Sequence, residues 1–517
     1  MSDSSPQEIA PGVTVSYEPD GTRVVSRSLT DSDGKTLVFT HSFPDATQHH
    51  YRNVAGDEVP LHTGKIAFPD NPDRPYEGKV FFTWKPTPQV KMEGTRNSSP
   101  KDIADLFSDT SSTTGMWSTA PSLILDTEIS SIPDQPSVKS AEVDPSTLGD
   151  LRVEERVHVQ LGDGGSLDEM TFLIPNGWRA DDASFICDPE NLALTPRNGR
   201  TTAEGDGWTV VFDLLPSINL KEWRRIKDLG GYSFTHCGRL TRTDGSPFTS
   251  EEGCATLDRI GLGLRLALGR RTSCLLPVGF AGGSPVWALW SATAVDPMSN
   301  ASDWLDSSTA AKQVGELVSQ VLSFTTTTSS LQSFKNALAY YIAATVDVDV
   351  HLQASLPISG LQLLTFYSFV TAGSLTPKSW ADLAPKERVT EWEIRKLLDK
   401  INLDLAIPGH FLNLAKVGHQ MAAAGAKRDA LGVVIKMRNV ATHPTKQQAG
   451  DYTNQQWAEA GMLSRYWLCL ALLHMVGYKG EIAAVMQSRP RHHGELRETP
   501  WCSTSGKTWK VGVAPGT

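Results

Sequence analysis

The stretch KRDALGVVIKMRNVATHP, Lys427 to Pro444, decides how the last third of this chain folds. Leu431, Val434 and Ile435 recur at three- and four-residue spacing, which predicts an amphipathic helix with those side chains turned inward. Pro444 sets its end, because the residue before a proline is pushed out of the α region, and the helix is expected to stop at about Thr442. On an unbroken helix, five steps of about 100° would set Arg438 and His443 well apart around the axis. The break frees His443 to turn back toward Arg438, with the Asn439 amide beside them.

The same stretch is basic. Residues 427 to 446 hold Lys427, Arg428, Lys436, Arg438 and Lys446 against one acid, Asp429, in a chain whose formal charge is −10. That overall charge argues against a general nucleic-acid coat, so any contact with phosphates must use a local patch such as this one.

Working outward, LQSFKNALAYYIAA, LQLLTFYSFV, FLNLAKVGHQMAAA and WAEAGMLSRYWLCLALLHMVG all carry the helical period, so residues 311–490 read as a helical bundle. Thr453 and Gln456 fit a capping box at the start of the last helix, whose buried stripe is expected to be Leu463, Tyr466, Trp467, Leu470 and Leu473. The N-terminal half reads differently. VTVSY, TRVVS, KTLVF, GKIAF and GKVFFTW alternate as strands do, with hairpin signals at Asp20-Gly21 and Asp33-Gly34. Residues 1–108 are therefore expected to form a β-rich module. Residues 109–147, rich in Ser, Thr, Pro and Asp, read as an irregular linker, and 148–310 as a mixed central module that includes LRVEERVHVQL, EMTFLIP and GWTVVFDLL. Residues 491–517 are expected to be a partly ordered tail. The fold class is α+β and multidomain: a β-rich N-terminal half followed by an all-α bundle.

Other chemistries find little support. Gly34-Lys35-Thr36 and Gly506-Lys507-Thr508 suggest a phosphate loop, but Leu29 and Trp501 stand where its first glycine belongs. In GLGLRLALG, Leu266 occupies the third glycine position of a dinucleotide fingerprint, and a buried helix or strand explains it better. The six cysteines are scattered without C-x-x-C spacing, as buried thiols in a reducing compartment would be. Asp347, Asp349 and His351 alternate beside a helix and read as a solvated edge rather than a metal site. His419 and His474 sit on apolar helices and are given no chemistry. No cofactor or metal is expected. The N-terminus lacks a basic then apolar leader and no apolar run is long enough to span a bilayer, so a cytoplasmic protein with no membrane partner is expected.

Arg and His with four to six residues between them occur twice. Arg152 and His158 fall in LRVEERVHVQL, where alternation predicts a strand, and the match is read as chance. Arg438, Asn439 and His443 lie at a helix end. Here the text resembles the HEPN family, helical domains whose hallmark is R-x(4–6)-H, often with Asn directly after the Arg. The resemblance covers roughly residues 320–490 and extends to LCLALLHMVGYKGEI, which looks like the closing leucine-rich, Gly-Tyr segment of many HEPN proteins. More loosely, a β-rich half before such a bundle is similar to ApeA-type bacterial anti-phage proteins.

That resemblance implies a metal-independent endoribonuclease acting in abortive infection, with Arg438, His443 and Asn439 catalytic. Lys427, Arg428, Lys436 and Lys446 are the candidate RNA contacts. It further implies an RNA substrate, tRNA included, a homodimer formed through the helical domain, and a β-rich half that senses a phage-derived or nucleotide trigger. The competing readings are a HEPN-like bundle that binds RNA, nucleotide or protein without catalysis, and a ligand-binding β protein whose helices only dimerise. The blandest is a helix end where Arg438 meets the negative pole of the dipole.

Overall fold

The computed structural model describes residues 7–510 apart from 11–12, 18–21, 31–35, 52–53, 55, 68–74, 86, 98–123, 126–149, 157, 189–195, 300–303, 347, 386–388, 427, 443–451, 485, 487–493 and 503–508. Strands dominate its first 290 residues and helices the remainder, an α+β arrangement.

β1 (Gln7–Ala10), β2 (Val13–Tyr17), β3 (Thr22–Thr30) and β4 (Thr36–Pro44) form an antiparallel four-stranded sheet in sequence order. The next sheet has five strands, in the order β8 (Ile124–Leu125), β5 (Glu58–Ala67), β6 (Tyr76–Thr83), β7 (Gln89–Asn97) and β9 (Asp150–Arg156). The largest has eight: β10 (Val159–Gly162), β17 (Ser284–Trp290), β16 (Leu275–Ala281), β11 (Glu169–Pro175), β15 (Phe234–Arg242), β14 (Trp208–Leu214), β13 (Arg197–Gly205) and β12 (Ser184–Ile186). Helix α1 (Leu220–Asp228) lies between β14 and β15.

The eight-stranded sheet is the middle layer, and β11 shows why. Its stretch Phe172–Pro175 is apolar and buried at every position, as expected of a strand covered on both faces. Met170, Phe172 and Ile174 join a core with helix α2 (Ser250–Leu268), while Leu173 joins Val80, Phe82 and Met92 of the five-stranded sheet on the other side. A capping box starts α2, with Thr249 Oγ1 accepting from Glu252 N at 3.2 Å and a Glu252 carboxylate oxygen accepting from Thr249 N at 2.9 Å. Gly269 ends it in the left-handed region at φ 64°.

Chain pairing crosses several boundaries that composition suggests. LRVEERVHVQL, expected as one strand, is two: β9 completes the five-stranded sheet and β10 edges the eight-stranded one. Ile124–Leu125, inside the expected linker, pairs with β5. Helix α3 (Ala310–Phe324), the first of the helical half, lies on β13, where a Cβ on Gly315 would come within 2.4 Å of the Thr202 carbonyl oxygen. One core therefore runs from the sheet through Val314, Leu317 and Val318 into the bundle. Trp304 anchors the passage, its Nε1 donating to the Leu266 carbonyl at 3.2 Å and its ring meeting Tyr478 edge-on.

The bundle proper comprises α4 (Thr328–Ala343), α5 (Val350–Phe366), α6 (Pro377–Leu383), α7 (Val389–Lys400), α8 (Leu412–Ala423), α9 (Ala430–Thr442) and α10 (Asn454–Met475). The expected capping box is present at α10, whose stripe Leu463, Tyr466, Trp467, Leu470 and Leu473 is buried, as are Leu468, Cys469 and Leu472 around it. Such a helix is apolar all round because neighbours surround it. α5 carries Pro357 and runs into a π-turn at Tyr367–Thr371. The described part of the tail closes on the bundle rather than trailing from it. Leu496–Glu498 pairs with Glu481–Ala483, Trp509–Lys510 pairs in parallel with Leu403–Asp404, and Trp501 Nε1 donates to the Tyr478 carbonyl at 2.7 Å. Among the described residues no helix is long and apolar enough to cross a membrane.

Candidate functional site

Helix α9 carries the sequence-predicted site. Leu431, Val433, Val434, Ile435, Met437 and Val440 are buried, so the helix is held in the bundle by most of its circumference. α9 is described as far as Thr442, whose Oγ1 donates back to the Arg438 carbonyl at 3.0 Å; Pro444, expected to stop the helix, lies outside the described residues. Arg438 and Asn439 therefore sit in the closing turn. His443, Lys446 and Lys427 lie outside the described residues.

Arg438 is half-buried. Its Nη1 donates to Asn439 Oδ1 at 3.2 Å, and its Nε is buried without a hydrogen-bond partner. No carboxylate pairs with it among the described residues. A half-buried guanidinium with one neutral partner keeps its charge and part of its donor fork for an incoming anion. Asn439 is exposed and Lys436 half-buried.

The opposite end of α9 is arranged differently. Asp429, just before the helix, accepts from Gly432 N at 3.0 Å, the bond an N-cap carboxylate makes. Arg395 on α7 donates to both Asp429 oxygens, at 2.5 and 3.0 Å, and to Glu391 Oε1 at 3.1 Å. Arg428 donates to Glu391 Oε2 at 2.9 Å. Burial raises the Asp429 carboxyl pKa, but the Arg395 bonds and the Gly432 amide outweigh it and leave it below the ordinary carboxylate value. The two arginines and two acids neutralise one another. Arg428, read from sequence as an RNA contact, thus has its charge offset by Glu391 at this helix end. Sequence reasoning missed Arg395 and Glu391, because nothing local announces a partner more than thirty positions away.

Of the other residues singled out in the sequence, His351 and His474 pack against aromatic rings, and Asp347 lies outside the described residues. The His351 ring meets Trp457 edge-on, and Trp457 in turn meets Tyr452. No group of three His, Cys, Asp or Glu side chains is placed to hold a metal ion among the described residues. His419 is exposed. His474 packs edge-on against Trp501, and burial together with nearby Lys400 lowers its pKa to about 4, so it is neutral at physiological pH. All six cysteines are free, three of them buried.

The chain matches two described families. Residues 162–301 match the YopA central domain, and residues 328–496 match the YopA C-terminal domain. The first span covers most of the eight-stranded sheet with α2, the second the bundle from α4 onward, and α3 lies between them. Arg438 and Asn439 fall inside the second. The chain is similar to the SPbeta prophage-derived uncharacterized protein YopA of Bacillus subtilis (strain 168), 22% identical over 310 residues. That match covers 59% of this chain and 66% of the relative, just under two thirds of its length. No solved structure matches the chain.

Proposed function

We propose that the chain is a metal-independent endoribonuclease of HEPN type whose site is built on the closing turn of α9 from Arg438, Asn439 and His443. The observation that carries this reading is the state of Arg438, a half-buried cation whose side chain, among the described residues, is held by Asn439 alone while Arg395 and Arg428 are neutralised. In the proposed reaction the ribose 2′-oxygen attacks the adjacent phosphorus and the bond from phosphorus to the 5′-oxygen breaks. His443 takes the 2′-hydroxyl proton, the leaving 5′-oxygen is protonated by solvent, and Arg438 faces the charge that builds on the phosphorane oxygens. An imidazole, whose ordinary pKa lies near neutrality, suits the first task, and a permanently charged fork suits the second.

The reading extends to a homodimer through the bundle, a cytoplasmic setting and a role in anti-phage defence. The defence role rests on the likeness to ApeA-type proteins; the Bacillus subtilis relative is described as prophage-derived. The β-rich half then serves as the module that restrains or triggers cleavage.

The test is incubation of the purified chain with total cellular RNA, with and without EDTA, beside His443→Ala. The expected result is EDTA-resistant cleavage that leaves 2′,3′-cyclic phosphate and 5′-hydroxyl ends and is lost in the variant. Cleavage that survives in His443→Ala, or that EDTA abolishes, would overturn the mechanism. Tight RNA binding with no cleavage under any condition would favour a non-catalytic RNA-binding bundle.

A further inference from the structure

The face of the eight-stranded sheet that meets the five-stranded sheet changes character along its length. Leu173, Cys237 and Leu275 share a rung and are apolar and covered. One rung on, the register places Thr171 opposite Arg239, with Glu169 on the same face two residues away along β11. This polar strip is not covered by a strand. Residues 44–50, leading out of β4, pass over it, and between them lies an open cavity of about 630 Å³, within the usual range for a small-molecule site.

The roof is fixed. Thr47 N donates to Asp213 Oδ2 at 2.6 Å, and Arg200 donates to both oxygens of the same carboxylate at 2.8 Å and to the Asp45 carbonyl at 2.6 Å. Ala46 N donates to the Cys187 carbonyl at 2.8 Å, and Arg23 pairs with Asp45 at 3.0 Å. These contacts consume the charges of Arg23, Arg200, Asp45 and Asp213.

Two charges remain. Arg239 and Glu169 are both half-buried, both line the cavity, and neither has an ion pair or side-chain hydrogen bond among the described residues. Thr47 Oγ1, also lining it, is buried without a hydrogen-bond partner. Half-buried groups of opposite sign left open on adjacent strands carry a desolvation cost that a complementary ligand would relieve.

We infer that this cavity is a binding site for a small ligand with an anionic group for the Arg239 guanidinium and an N–H group for the Glu169 carboxylate. A nucleotide and a free α-amino acid both have that chemistry. The site is separate from the closing turn of α9 and does not depend on what α9 does. It gives the β-rich half a recognition function of its own, and the pinned roof makes the site preorganised.

The full chain is tested by thermal shift and calorimetry against ribonucleoside 5′-monophosphates, α-amino acids and inorganic phosphate, beside Arg239→Gln and Glu169→Gln. One of the two organic classes is expected to raise the melting temperature and to bind more tightly than phosphate, which identifies the source. Each variant should melt no lower than the parent without ligand, since neither side chain has a protein partner to lose. Each should bind that ligand about tenfold or more weakly. The inference is overturned if no member of the panel shifts the parent, if phosphate alone binds as well as any of them, or if both variants keep the parent's affinity.

Discussion

The two ends of α9 hold arginines in opposite states. At the start, Arg395 and Arg428 are locked to Glu391 and Asp429 across the gap to α7, and all four charges cancel. In the last turn, Arg438 meets only the Asn439 amide among the described residues. The first arrangement buys stability for the packing of α7 on α9. The second contributes little beyond a favourable place at the negative pole of the helix, and it leaves a cation able to meet a phosphate. The arginines of a basic patch counted from sequence are therefore of two kinds, Arg428 in a neutral clamp and Arg438 with no carboxylate partner among the described residues.

The clamp is the easier half to break. Glu391→Gln strips Arg428 of its carboxylate and Arg395 of one of two, in a site where both Glu391 and Arg428 side chains are largely buried. A loss of about 3 kcal/mol is expected from urea unfolding, because cations are left poorly compensated. An unchanged midpoint would mean that the clamp is a surface ornament, and the contrast between the helix ends would fall with it.

Asp429→Asn should cost less, about 1–2 kcal/mol at neutral pH, since an amide still caps Gly432. Its pH dependence sharpens the point. The folded Asp429 pKa lies below the unfolded one, so the contribution is fully present above the ordinary carboxylate pKa of about 4 and is lost as pH falls through the folded value. The stability gap between parent and variant should accordingly be widest at neutrality and close in acid. A gap that widens on acidification contradicts the assignment.

Arg438→Ala is expected to have the smallest effect on folding, below about 1 kcal/mol, because no ion pair among the described residues is lost. A destabilisation comparable to that of Glu391→Gln would show that Arg438 is a structural residue after all.

Much of this was legible in one dimension because its causes are local. The run from Leu431 to Ile435 forms the buried side of α9, Thr453 and Gln456 cap α10, and the stripe from Leu463 to Leu473 is buried. The split of LRVEERVHVQL between two sheets was not, since alternation marks a strand but carries no record of which neighbour it pairs with. The same holds for the tail strand at Trp509–Lys510, whose partner lies a hundred residues earlier. At the site, Arg438 and Asn439 can be picked out by motif and helix end. That Arg428 is spoken for, and that Arg239 and Glu169 are not, depends on side chains brought together from distant segments.

The central claim is that Arg438, and not the clamp, carries the chemistry, and the most direct test measures RNA cleavage per folded molecule for Arg438→Ala and Arg428→Ala side by side. The account predicts that Arg438→Ala unfolds like the parent yet has lost cleavage by about a hundredfold or more. Arg428→Ala should unfold early yet cleave at the parent's rate wherever it is folded. Cleavage retained in Arg438→Ala, or lost equally in both variants at matched folded fraction, would contradict it.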